Sequence, residues 1–322
     1  NAVTAAKLAT DSVTAAKIAA NSVDSAELID GAVDDSHMAS ISGRKNIIIN
    51  GGFDVWQRGT SFTTDNVITA DRWKSGDGTG GSPARTASRQ AFTVGQTDVP
   101  NEPAYYLRHN QTAASTNGNS SISYKIEGVR TGAGQQVTLS FYGKSSSTLD
   151  YRIRIIQNFG SSGSTDVAHY DTNHSIGTSW TKTTITTTLP SISGKTVAGG
   201  DDTLNINIDC TSTSTYTFDL AQVQLELGST ATDFEYRSYG EELALCLRYY
   251  EISPTSYLVS YGGNSVANIM YKVEKRVTPT STVTNTSATG ITAGTSDSKG
   301  NYLYRSGDTT GTSARLVADA EL

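Results

Sequence analysis

The stretch AHYDTNH brings His169, Asp171 and His174 within six residues, and these are side-chain types that bind transition metals. Two imidazoles with a carboxylate between them can supply ligands, but a metal site also needs a scaffold that fixes them. The surroundings are rich in Gly and Ser and read as a solvated loop, so no metal is expected. Glycoside hydrolysis asks for two carboxylates, roughly 5–5.5 Å apart in retaining enzymes and about 6.5–9.5 Å apart in inverting ones. Asp201 and Asp202 adjoin on a GGDDT turn, where solvated charge is the default, and neither Glu226 nor Glu235 has an evident catalytic partner. There is no Gly-x-Ser-x-Gly elbow, and no His is placed for a Ser-His-Asp set. GDGTGG, residues 76–81, follows no βα unit and does not read as a phosphate loop. Cys210 and Cys246 make neither a disulfide framework nor a metal site, and both read as small buried apolar residues. No enzyme is expected.

Binding chemistry is better represented. Trp180 ends a polar loop and suits either packing or stacking on the C–H face of a pyranose. AYYLRHN sets Tyr105, Tyr106 and Arg108 beside His109, mixing aromatic and hydrogen-bonding groups. Toward the end of the chain Tyr257, Tyr261, Tyr302 and Tyr304 form a second such group. Aromatic side chains among Ser, Asn and Gly suit recognition surfaces. They also suit ordinary strand faces.

The composition says what must position these groups. Of 322 residues, 17% are charged and 8% aromatic, with only 6 Pro, a texture of short strands joined by polar turns. A net charge of −6 argues against nucleic acid or an anionic membrane surface as the main partner. No apolar run approaches the roughly 20 residues that span a bilayer. No signal-peptide pattern opens the sequence, which begins in mid-pattern. That beginning suggests the C-terminal part of a longer polypeptide, or missing first residues.

That pattern is a decapeptide written four times. Val3, Val13, Val23 and Val33 recur at ten, as do Leu8, Ile18, Leu28 and Met38. A spacing of five within each unit fits neither a continuous helix face nor an alternating strand. It does fit a stapled helix start. Thr4, Thr14, Asp24 and Asp34 act as N-caps, the Val before each sits at N′, and its apolar partner falls at N4. One helical turn lies far below the roughly 12–15 residues at which isolated helices become marginal. Such units must therefore stack on their neighbours and associate with other chains. One Ala-rich helix and a disordered linker are the competing readings; the strict phase of the apolar positions favours an ordered stalk.

Beyond the repeat, Asn46 to Asn50 reads as an apolar strand and Gly51-Gly52 as a turn or bulge. SISYKIEGV, QQVTLSFYGKS, DYRIRIIQNF, SWTKTTITTTL, TLNINIDC and TFDLAQVQLELG then follow as strands, several with clean alternation. That many strands with no helices between them predict a two-sheet antiparallel sandwich. SYGEELALCLRYYEI breaks the pattern: Leu243, Leu247 and Tyr250 share a helical face, and Glu241 and Glu242 lie in the first turn. SYLVSYG, ANIMYKVEKRVTPTSTVTN, NYLYRSG and SARLVADAEL read as strands of a smaller β domain. The predicted organisation is a repeat stalk over 1–42, a β-sandwich over 43–238, a linking helix over 239–252 and a C-terminal β tip over 253–322.

The VTAAKIAANSV-type repeat, KNIIINGGFDVWQRG, ITADRWK, DLAQVQLELGSTATDFEYRSYGEELALCLRYYE and VEKRVTPT occur here in one order along nearly the whole chain. Together they resemble tail-fibre and related receptor-binding proteins of tailed bacteriophages, marine ones especially. The resemblance implies a homotrimeric, extracellular virion appendage whose sandwich is a jelly roll like those of carbohydrate-binding modules. Trp56 and Trp73, inside the family-like motifs, are then packing residues. Many such modules hold a structural calcium between first and last strands. Asp54 matches the early acidic position, but the late one falls near Ala221, with Asp219 two residues earlier. Calcium takes about 6–8 oxygen ligands and only two side chains can be nominated, so no cofactor is expected.

The function expected is attachment to a host-surface glycan or envelope receptor by a trimer that joins other tail or neck proteins through its N-terminal side. The alternatives are a purely structural fibre, neck appendage or decoration protein and, less favoured, a glycan-degrading tailspike. The nominated ligand residues are Tyr105, Tyr106, Arg108, Trp180, Tyr257, Tyr261, Tyr302 and Tyr304.

Overall fold

Val137, Leu139 and Phe141 on one strand, and Leu204, Ile206 and Ile208 on another, alternate with polar neighbours, and all six are fully buried. In strands this alternation sends every second side chain to the same face. A computed structural model describes residues 44–76, 84–114, 120–284, 286–307 and 312–322, and the expected stalk over 1–42 lies outside them. Lys45–Leu322 form one compact unit.

Its larger part is mainly β and consists of two six-stranded antiparallel sheets. The first contains β1 (Ser61–Phe62), β4 (Arg85–Ala91), β5 (Tyr105–Gln111), β7 (Gln136–Ser145), β10 (Thr181–Thr188) and β12 (Tyr216–Leu227). Their spatial order is β1-β4-β5-β12-β7-β10. The second contains β2 (Val67–Ile68), β3 (Trp73–Ser75), β6 (Ser120–Glu127), β8 (Leu149–Asn158), β9 (Val167–Ile176) and β11 (Thr203–Cys210), in the order β2-β3-β6-β11-β8-β9. From β5 to β8, and again from β9 to β12, successive strands cross between the sheets, the winding of a jelly roll. Inward residues of both sheets form one core, with Leu107, Phe141 and Phe218 from the first meeting Trp73, Tyr151 and Ile206 from the second. Trp73 and Trp56 are buried, and their indole N–H groups donate to the carbonyls of Asn50 (2.9 Å) and Phe53 (2.7 Å).

Asn46–Asn50 is not a strand, although it is apolar enough to read as one. Side chains take most of its backbone hydrogen bonds. The Asn46 N–H donates to Glu235 (2.6 Å), Ile49 to the Tyr124 hydroxyl (2.8 Å) and Asn50 to Glu242 (2.6 Å). Arg237 donates to the carbonyls of Asn46 and Ile48. The segment thus closes one end of the sandwich beside the bulge in β12 between Ala221 and Gln224. Gly51 lies so close to that bulge that a Cβ would stand 2.1 Å from the Val223 carbonyl oxygen.

The helix α1 (Tyr239–Leu247) starts at a capping box formed by Ser238 and Glu241. It is shorter than 239–252. The buried Lys275 ammonium donates to the Leu247 carbonyl at 2.6 Å, and Tyr250–Ile252 become β13, paired with β20 (Ser313–Asp319). Tyr250 therefore belongs to a strand, paired with Asp319 of β20, and not to the helical face. The remaining strands are β14 (Ser256–Tyr257), β15 (Val259–Tyr261), β16 (Asn264–Met270), β17 (Thr280–Thr284), β18 (Thr292–Ala293) and β19 (Gly300–Ser306). They make two four-stranded sheets, one of β13, β14 and β17 around β20 and one in the order β15-β16-β19-β18. Leu258, Ile269, Leu303 and Leu316 centre their own core. Arg72 ties this part to the sandwich through Glu321 and the Lys125 carbonyl, with its guanidinium 3.6 Å from the Tyr249 ring centroid. Arg58 adds Asp319 (3.2 Å), Glu321 (3.4 Å) and the Tyr250 ring (3.5 Å).

Candidate functional site

On β5, Leu107, His109 and Gln111 point into the core, so Tyr106 and Arg108 face outward. Strand pairing sets Ser88 of β4, Arg108 of β5, Asp219 of β12 and Lys144 of β7 in one row across the first sheet. Trp180 immediately precedes β10, whose Thr181 pairs with Gly143, and this brings the indole to the Lys144 end of the row. Phe92, just past the end of β4, completes an aromatic cluster. Ring centroids lie 4.8 Å apart for Phe92–Tyr106, 5.2 Å for Phe92–Trp180 and 5.3 Å for Tyr106–Trp180, the last pair edge to face. All three rings are half-buried, which leaves part of each surface to solvent.

Polar groups frame the rings. Arg108 donates to both Asp219 oxygens, from Nε at 2.7 Å and Nη2 at 2.8 Å, and Nη2 also reaches the Tyr106 hydroxyl at 3.3 Å. This two-pronged pairing is the geometry that suits Arg and carboxylate best. It pushes the Arg108 pKa further up, while burial and then Asp219 raise that of Tyr106. Both groups therefore keep their protons throughout the physiological range. The Lys144 ammonium stands 4.9 Å from the Trp180 ring centroid and 3.9 Å from Asp219. Behind the face, His109 lies between Ser75 (3.1 Å) and Ser120 (2.5 Å), and burial pushes its pKa down to about 3. The surface pairs fixed charges with an aromatic wall, an arrangement for binding.

Of the nominated residues, Tyr106, Arg108 and Trp180 come together here. Tyr105 does not: it points to the opposite face, where the Arg89 guanidinium lies 4.4 Å from its ring centroid. Tyr257 belongs to the sheet around β20. Tyr261, Tyr302 and Tyr304 share the outer face of the other small sheet, where the Tyr304 hydroxyl donates to Asn264 (2.9 Å) and the Tyr302 ring covers Gly294. Phe92 and Lys144 join the site without having been nominated, and Asp219, considered only as a calcium ligand, joins it as the partner of Arg108. Alternation in QQVTLSFYGKS could have found Lys144, since Phe141 and Gly143 point inward around Tyr142 and Lys144.

AHYDTNH is not a loop. It lies on β9, the edge strand beside β8, with Asp171 forming a bidentate pair with Arg152 that holds its pKa low. Alternation sends His174 to the other face, stacked on Tyr151, so the trio cannot converge on one ion. Asp54 and Asp219 do not meet as calcium ligands either, because Asp219 binds Arg108. Asp54 is instead raised to about 6 by burial, with the nearby Glu242 adding to the effect. Among the described residues no group of three His, Cys, Asp or Glu could hold a metal. Asp202 accepts the Val129 N–H (2.7 Å), Asp201 that of Ser161 (2.8 Å) and Glu226 that of Thr232 (3.0 Å), so these carboxylates brace loops. Cys210 and Cys246 are buried, and burial pushes the Cys210 thiol up to about 12. Of GDGTGG, all but Gly76 lies outside the described residues.

The sequence matches no protein-family model and no curated protein. Among solved structures, the chain is similar to the N-terminal cellulose-binding domain of β-1,4-glucanase C from Cellulomonas fimi. That alignment has 17% identity, covers 54% of this chain and 97% of that one, and has a TM-score of 0.34. The enzymatically active domain of tailspike protein 4 from bacteriophage CBA120 aligns at 14% identity over 57% of this chain and 21% of that one, with a TM-score of 0.38. A Stig cyclase, Fisc, from Fischerella sp. TAU aligns at 14% identity over 59% of this chain and all of that one, with a TM-score of 0.42.

Proposed function

We propose that this chain is a bacteriophage virion fibre protein that attaches to the host cell surface by binding glycan on the outer face of the first sheet. The observation that carries the binding reading is the Phe92–Tyr106–Trp180 cluster. Three rings from separate parts of the chain are gathered on a solvent-facing sheet surface beside Arg108, Asp219 and Lys144. An aromatic wall accepts the C–H face of a pyranose, and the fixed polar groups around it select hydroxyl positions. The fibre reading is supported by the decapeptide repeat, whose units need partner chains to bury their two apolar residues.

In this reading three copies associate, other tail or neck proteins hold the N-terminal side, and the protein performs no chemistry and binds no nucleic acid. Each site binds weakly and the trimer binds through avidity. Purified full chain is expected to bind host envelope polysaccharide and to block phage adsorption. No binding at high concentration would favour a purely structural appendage. Release of oligosaccharides would turn the reading toward a glycan-degrading tailspike. Light scattering that shows a folded monomer with the repeat intact would overturn the trimer.

A further inference from the structure

We infer that the sugar recognised on this face is acidic, a uronic acid or a similarly carboxylated pyranose, and that Lys144 reads its carboxylate. The inference rests on the glycan-binding reading above and adds the substrate class. Its basis is an imbalance of charge in one row of side chains. Asp219 is buried, with both oxygens at 2.7–2.8 Å from Arg108, and so is matched by a single guanidinium. Lys144 brings a second cation at 3.9 Å, beyond hydrogen-bonding distance of the same carboxylate. One anion facing two cations leaves a local charge of plus one inside a protein whose net charge is −6.

The position of that surplus is specific. The ammonium lies 4.9 Å from the Trp180 ring centroid, on the wall where a stacked pyranose would rest. A ring substituent directed toward β7 therefore meets Lys144, and a carboxylate there supplies a second anion for the two cations. A neutral sugar would leave this cation only the Asp219 carboxylate, which it shares with Arg108. The next outward residues keep the same balance. Tyr142, two residues before Lys144, feels the negative charge of Asp233, while Lys182 stands opposite Tyr142 on β10 and donates to the Thr232 carbonyl at 3.3 Å.

A matched pair of probes separates charge from shape: polygalacturonate and its fully methyl-esterified form, with xylan and alginate alongside, each titrated calorimetrically into the full chain. Expected is tighter binding of the free acids and weaker binding on esterification. Lys144→Met keeps the aliphatic stem against Trp180. It should lower affinity for the acids about tenfold, consistent with one lost hydrogen bond to a charged group, and abolish the preference for free acid over ester. Raising NaCl from about 0.05 to about 0.5 M should weaken wild type far more than Lys144→Met, since screening acts on the charged contact. Equal binding of acid and ester with no effect of Lys144→Met overturns the inference while the glycan reading stands. If no glycan of either kind binds, both fall.

Discussion

Replacing Arg237 with Met tests how the Asn46–Asn50 segment is held. The guanidinium is buried and donates to the carbonyls of Asn46 and Ile48, and it lies 3.3 Å from both Glu242 and Glu235. Met fills much of the volume but leaves two carbonyls without that donor and the buried Glu242 without its cation. Breaking a buried pair from one side costs about 3–5 kcal/mol, because the remaining charge stays desolvated. For a unit of this size about 2 °C accompanies each kcal/mol, so the melting temperature should fall by roughly 6–10 °C. Trp73 provides the readout, since its indole N–H donates to the Asn50 carbonyl at 2.9 Å and its fluorescence follows the segment directly. Urea unfolding of Arg237→Met, Glu242→Gln and the double variant completes a cycle, with a coupling above about 1 kcal/mol expected. Strict additivity, or a melting temperature lowered by less than about 2 °C, would refute the reasoning.

Asp54, ordinarily near 3.8, is raised to about 6 by burial and by Glu242, so the folded chain binds the extra proton and its stability is fullest below about pH 4 and falls as pH rises through 6. Asp54→Asn should remove that fall, gaining about 1–2 kcal/mol at pH 7 after allowance for solvent screening and nothing at pH 3.5, as read by urea midpoints across the range. Gly51→Ala puts a methyl 2.1 Å from the Val223 carbonyl oxygen and should prevent soluble folded protein from accumulating. Gly240→Ala, in the first turn of α1 with open space around its Cβ, should raise the melting temperature slightly, a contrast that thermal scans would check.

The sandwich was legible where burial is one-sided, because Val137–Leu139–Phe141 and Leu204–Ile206–Ile208 declare a strand by alternation alone. It was not legible where neighbours override the local pattern. Asn46–Asn50 has a strand's composition, but Glu235, Glu242, Tyr124 and Arg237, all distant in sequence, take the backbone bonds that a strand partner would have made. β9 failed in the opposite way: as an edge strand it carries polar residues on both faces and shows no apolar period. The binding face was half legible. Tyr106, Arg108 and Trp180 stand out by type and alternation turns Lys144 outward, but that Asp219 and Lys144 lie in one row with Arg108 follows from strand register, which no local spacing encodes.

The central claim is that the outer face of the first sheet binds glycan. Its most direct test is binding of the full chain to purified host envelope polysaccharide, compared between wild type and Trp180→Ala. Trp180 is half-buried at the sheet edge, and truncation of an aromatic anchor of this kind costs about 2 kcal/mol or more of binding, roughly a thirtyfold loss. The account predicts that loss with circular dichroism unchanged. Undiminished binding by Trp180→Ala would contradict it.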